Sequence, residues 1–172
     1  MQEDPQAVAE RSAARMYEAD LASRHLGIQV DQIAPGHATA RMVVRDTMLN
    51  GHNICHGGYL FLLADTAFAF ACNTYGPTTV AAACNVAFLA PAHLDDELIA
   101  TATERHHAGR SGIYDVTVRL PDTPSSPSSE VTAAPYPHEP PPPSLAAVHT
   151  ILGSRSQCAA SAAGVPQMFP RA

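Results

Sequence analysis

The chain has 172 residues, enough for one domain with a sizeable core, and a mildly acidic net charge of −6. All ten basic residues are Arg, and nothing in their spread forms the basic footprint of a nucleic-acid binder. The four cysteines, Cys55, Cys72, Cys84 and Cys158, show no CxxC spacing, which excludes a dense disulfide framework and suits a reducing cytoplasm. Met1 to Pro5 lacks the basic and apolar regions of a secretory signal.

Residues 6–25 are rich in Ala, Glu and Arg and read as one helix, with Met16, Leu21 and Leu26 offering an apolar stripe. Ile28, Val30 and Ile33 alternate as a strand, Pro35-Gly36 turns, and Ala38 to Val44 returns as the second arm of a hairpin. A loop with an Asn50-Gly51 turn leads to a helix from about Gly58 to Asn73, which stops at Tyr75-Gly76-Pro77. Thr78 to Leu89 carries little charge and reads as a strand buried on both faces. Glu97 to His106 and Ile113 to Val118 alternate as two further strands around a tight connection at His107 to Gly112. This order predicts an α+β domain over about 26–120 whose antiparallel sheet wraps one central helix, behind a helical segment at 1–25.

After Leu120 the character changes. Eleven of the fifteen prolines fall in the last 52 residues, including Pro140 to Pro143, and no apolar period persists. Residues 121–172 read as a Pro-rich tail, disordered or only locally ordered.

Asp65 is the one charged residue between Gly57 and Cys72. The run is about as long as a short membrane span, but the central Asp65 and the lack of flanking Lys or Arg favour a buried helix and no membrane partner. A carboxylate among Leu, Phe and Ala is costly to ionise, so its pKa is expected to rise, as at many catalytic sites. The bland alternative is an Asp that caps, pairs or faces solvent. His56-Gly57-Gly58 changes the balance, because it places glycine N–H groups at a helix start, where backbone and dipole can hold a developing oxyanion.

Two other chemistries are open to this loop. Cys55-His56 offers a thiol and a base, but sequence neighbours rarely point at each other. His52 and His56 have the spacing of a zinc pair, yet they sit in a glycine-containing loop without the Glu of a zinc-protease motif, so no metal is expected.

Gly57 and Asp65 are eight residues apart, about 12 Å along one helix at ~1.5 Å per residue. A donor and a base acting on one carbonyl must each lie within about 3 Å of it. If both serve one site, they come from two chains, with antiparallel helices related by a two-fold axis. The expected partner is therefore a second copy of the chain.

Met48-Leu49-Asn50-Gly51-His52, Cys55-His56-Gly57-Gly58 and Leu63-Ala64-Asp65-Thr66-Ala67-Phe68-Ala69, followed by Ala71-Cys72-Asn73, closely resemble the PaaI-type hydroxyphenylacetyl-CoA thioesterases of phenylacetate degradation. These are hotdog-fold acyl-CoA thioesterases. The resemblance covers about residues 12–119 and continues at Asn85-Val86-Ala87-Phe88-Leu89-Ala90-Pro91, which is similar to the strand lining the acyl pocket. It implies hydrolysis of an aryl-acyl-CoA to free acid and CoA, with no cofactor beyond the coenzyme A of the substrate, in a homodimer arranged as a dimer of dimers. Asp65 matches the catalytic carboxylate, and Gly57 the glycine whose N–H polarises the thioester carbonyl. Asn50 matches the loop amide that positions substrate and water. His56 matches a motif histidine that orients the loop. Gly58, Asn85 and Phe88 fall in the substrate-binding region, and Arg110 and Ser111 match a turn that often meets CoA.

Two departures from that family stand out. A catalytic hydroxyl often follows the carboxylate by one helical turn, or sits on the next strand; here those places hold Ala69 and Ala81, which leaves Thr66 and Thr79 as candidates. The family's final strand, which lies inside the sheet, is missing or replaced, since Pro121-Asp122-Thr123-Pro124 stands where it should begin. A shifted reading frame near Arg119 or Leu120 would explain this. Rival readings are a hotdog enoyl-thioester hydratase, a non-catalytic acyl-CoA-binding protein, and an inactive frameshifted product.

Overall fold

A computed structural model describes residues 3–109, 111–121 and 150–153. The hairpin expected from the alternation forms as β1 (Gln29–Ala34) and β2 (His37–Val43), and the two later strands form as β3 (Glu97–Ala108) and β4 (Ser111–Arg119). With β5 (Thr150–Gly153) they make an antiparallel sheet in the order β1-β2-β3-β4-β5. Gly36 turns the first hairpin with φ +71°, and a Cβ there would come within 2.9 Å of Glu104 and of the Tyr75 hydroxyl.

The inner face of this sheet is built largely from small residues. Register puts Ala38 opposite Ala102 and Ala40 opposite Ala100, and continues each row onto Val116 and Val118 of β4. All six side chains are buried. Such a shallow face leaves room for a helix to lie close against it.

That helix is α3 (Gly57–Cys72), which packs on β2, β3 and β4. Leu60, Leu63, Ala64, Ala67, Phe68 and Ala71 recur at helical spacing and are buried toward the sheet. Phe68 meets the buried Tyr114 edge-on, with ring centroids 5.3 Å apart. Truncating Phe68 to Ala should cost about 3–5 kcal/mol in a denaturant titration, the usual range for a large ring removed from a packed core. Among the described residues, no helix is long and apolar enough to cross a membrane.

The N-terminal segment differs from the single helix expected over 6–25. It breaks into α1 (Pro5–Ala19) and α2 (Leu21–Leu26) at Asp20. Asp20 ends α1 and its carboxylate caps α2 by accepting the Ser23 N–H at 3.0 Å, so one Asp serves both ends.

The strand expected at 78–89 does not form. This stretch lies in no named strand, and Val80, Phe88 and Leu89 are 65%, 55% and 40% exposed rather than buried on both faces. A strand needs a ladder partner for its backbone groups, and within this chain β4 pairs with β3 on one side and β5 on the other. The family-like final strand is replaced by four residues of the tail, with Val116 opposite Thr150 and Ile113 opposite Gly153. The disorder and altered reading frame expected over the tail otherwise fall on 122–149 and 154–172, outside the described residues.

Candidate active site

The loop before α3 is organised by Asn50. Its Oδ1 accepts the His52 N–H at 2.8 Å and the Ile54 N–H at 3.4 Å, while its backbone N–H donates to the Ile54 carbonyl. The chain then returns alongside itself, with Leu49 bridged to Cys55 and the His56 N–H donating to the Met48 carbonyl. The Asn50 Nδ2 group donates to nothing among the described residues and remains available to a ligand.

His56 is the N-cap of α3. Its Nδ1 accepts the Gly58 N–H at 2.9 Å, which places the ring proton of the neutral imidazole on Nε2. Of the two glycine amides at the helix start, Gly58 is therefore occupied. The Gly57 N–H has no acceptor among the described residues and stands at the positive end of the helix. The Phe88 ring lies over Gly57, so close that a Cβ there would meet it at 3.0 Å. Asn85 and Ser111 are exposed, and Arg110 lies outside the described residues.

The pairing of Cys55 with His56 as nucleophile and base is not built. Cys55 Sγ points toward the His56 carbonyl, at 3.8 Å, while the His56 ring faces Gly58. Burial pushes the Cys55 thiol upward, with Asp96 adding to the effect, opposite to what a nucleophile needs. Among the described residues, no group of three or more His, Cys, Asp or Glu side chains could hold a metal ion.

Asp65 sits two turns along α3, half-buried, on an open groove of about 560 Å³ between α1, α3 and residues 76–81. Its carboxylate has no hydrogen bond or ion pair among the described residues, and burial raises its pKa above the ordinary carboxylate value. The two hydroxyl candidates separate here. Thr66 is buried and paired with Ser23 Oγ at 3.1 Å, whereas Thr79 lines the groove with Asp65. Ser12 and Asn73 also line this groove; Ser12 carried no site signal in the sequence, and Asn73 stood in the family-like motif with no role assigned, because only packing brings them to Asp65.

Because α3 is an unbroken helix, Gly57 and Asp65 keep the separation of about 12 Å expected at ~1.5 Å per residue. The structure brings His56, Gly57, Gly58, Asn50 and Phe88 together at one end of α3. Asp65 stands apart from them on the groove.

Comparison with known proteins bears directly on this arrangement. The model of the thioesterase superfamily matches residues 52–126. Acyl-coenzyme A thioesterase PaaI of Escherichia coli K12 is 47% identical over 108 residues, covering 63% of this chain and 77% of that protein. The solved E. coli PaaI protein from the phenylacetic acid degradation operon superposes with a TM-score of 0.72 at 35% identity, covering 88% of this chain and 94% of that one. A point mutant of the phenylacetic acid degradation protein PaaI from Thermus thermophilus superposes with a TM-score of 0.58 at 31% identity, covering 77% and 98%. A sheet wrapped on one helix, a carboxylate in that helix and this degree of identity converge: the chain belongs to the thioesterase superfamily and is a thioester hydrolase of the hotdog fold.

Proposed function

We propose that this chain hydrolyses an aryl-acyl-CoA of the hydroxyphenylacetyl-CoA kind to the free acid and CoA, as a homodimer and with no added cofactor. The observation that carries the reading is Asp65, a half-buried carboxylate with a raised pKa and no partner among the described residues, on an open groove in an otherwise apolar helix. The names of the E. coli relatives, an acyl-CoA thioesterase and a protein of a phenylacetic acid degradation operon, support the substrate class.

In this reading the thioester carbonyl accepts the Gly57 N–H of one protomer, which stabilises the oxyanion as water adds. Asp65 of the partner protomer takes the proton from that water as the C–O bond forms and the carbonyl π pair moves onto oxygen. When the oxyanion collapses to the acid the C–S bond breaks, and Asp65 returns the proton to the departing CoA sulfur. Asn50 Nδ2 helps to hold the substrate, and Phe88, already against Gly57, packs on the acyl group. Arg110 and Ser111 are the residues proposed to meet the CoA, on the family resemblance alone.

A panel of aryl and alkyl acyl-CoAs assayed for free thiol tests the substrate class, with hydroxylated phenylacetyl-CoA expected to give the highest kcat/KM. Short or branched alkyl thioesters outrunning every aryl one would overturn that assignment. The same assay over pH reads the base. Asp65 must be ionised to accept a proton, so activity should fall as pH drops through its folded pKa. Because burial raises that pKa, the acid limb should lie above the ordinary Asp value of about 4. A limb at or below that value would remove Asp65 as the base.

A further inference from the structure

Asn73 follows the last residue of α3 and is buried. Its side-chain amide meets both backbone groups of Thr79. Oδ1 accepts the Thr79 N–H at 2.8 Å, and Nδ2 donates to the Thr79 carbonyl at 2.8 Å. Nδ2 also donates to the Ala69 carbonyl, one turn back in α3, at 2.9 Å. The Asn73 carbonyl accepts the Ser12 hydroxyl of α1 at 2.7 Å. One residue thus ties together α1, the end of α3 and the segment beyond it.

Those three pieces are the walls of the groove that holds Asp65. Residues 78–81 lie in no strand, so their backbone has no ladder to fix it. The Asn73 amide takes the place of a neighbouring strand at Thr79, offering one acceptor and one donor in the right order. Asp would set a second carboxylate oxygen against two carbonyl oxygens. Ser lacks the reach and the paired donor and acceptor. Either change leaves buried groups unsatisfied.

We propose that Asn73 is a positioning residue of the thioesterase site: its amide fixes Thr79 and thereby sets the wall of the groove in which Asp65 works. This rests on Asp65 being the catalytic carboxylate, as proposed above. A wall displaced by about 1 Å is enough to lose tenfold or more in turnover when alignment is the source of rate.

The test uses the full-length Asn73→Ser variant beside the wild type, with kcat and KM measured separately over pH on phenylacetyl-CoA. The expected result is a fall in kcat of at least about tenfold. The acid limb should also move toward the ordinary carboxylate pH, because a loosened wall admits water to Asp65. The charged and titratable groups facing Asp65 are Arg15 from α1 and Cys72 from α3, and residues 76–81 contribute none. Arg15 is untouched. Cys72 loses the Asn73 Nδ2 contact at 3.4 Å, but burial pushes its thiol up to about 12, so it stays neutral across the acid limb and a shifted limb reports the wall. A purely structural loss would lower the amount of active enzyme and leave the limb in place. Hydrogen exchange at the Thr79 amide supplies a measurement that does not depend on the variant folding. Protection in the wild type supports the clamp, and exchange at the rate of an open amide overturns it. An Asn73→Ser enzyme with wild-type kcat and an unmoved limb overturns the inference even if Asp65→Asn is inactive. An active Asp65→Asn enzyme instead overturns the functional reading beneath it.

Discussion

Asp65→Asn is expected to lower turnover at least about a hundredfold while leaving CoA binding nearly unchanged, because the shape is kept and the base is lost. The same change should stabilise the fold at neutral pH. Asp65 has no hydrogen-bonding or ionic partner among the described residues, and its folded pKa is raised by burial. Its favourable contribution is therefore complete below the unfolded carboxylate value, about 4, and is lost as pH rises through the folded pKa. At neutral pH the wild type carries a buried charge that the amide lacks. Thermal midpoints should show the Asp65→Asn enzyme above wild type at pH 7, with the gap closing as pH falls through the raised folded pKa and closed by about pH 4. Lost turnover with a raised midpoint marks a group kept for chemistry at some expense of stability. Retained turnover would rule out Asp65 as the catalytic carboxylate, and a lowered midpoint at pH 7 would show that its charge is compensated.

What could be read from the sequence follows from how local each cause is. The hairpin of β1 and β2 and the strands β3 and β4 were legible because Ala38, Ala40, Met42 and Leu98, Ala100, Ala102 alternate with polar neighbours. Helix α3 was legible from its apolar run and its stop at Tyr75-Gly76-Pro77. The break at Asp20 was not, because a residue that ends one helix and caps the next looks in sequence like any helical Asp. Residues 78–89 have the composition of a strand, but composition does not supply a partner edge, and the stretch forms no named strand, with Val80, Phe88 and Leu89 exposed.

At the site, Asp65 and Gly57 declared themselves by chemical contrast, one charge in an apolar run and a glycine pair at its start. The division of labour between the glycines did not. That Gly58 is occupied and Gly57 is open depends on the His56 ring turning back onto the helix, a matter of side-chain torsions. Thr66 and Thr79 were equivalent in sequence and are separated by Ser23, a residue forty-three positions from Thr66 that consumes its hydroxyl. Asn73 was visible as part of a motif but not as a clamp, since its partners are backbone atoms and backbone atoms leave no letter in the sequence.

Mixing two inactive variants should restore activity, and this is the sharpest consequence of the geometry. Asn50 shapes the loop that delivers Gly57, and both stand at one end of α3, whereas Asp65 lies about 12 Å along the helix at ~1.5 Å per residue. If one site takes Asn50 and Gly57 from one protomer and Asp65 from the other, Asn50→Ala and Asp65→Asn homodimers each have two damaged sites. Unfolding them together and refolding makes heterodimers. In each of these, one site carries both changes and its twin carries neither. Random pairing makes about half of the dimers mixed, so roughly a quarter of all sites should be intact under two-fold symmetry. The refolded mixture should then recover about a quarter of wild-type turnover per site, well above either parent. Differently tagged protomers and tandem purification confirm that mixed dimers are present. A mixture that contains them and stays at the level of the parents would show that amide and carboxylate do not meet across the interface. A helix of fixed rise then leaves no way for Gly57 and Asp65 to act on the same carbonyl, and one of the two would have to be released from the mechanism.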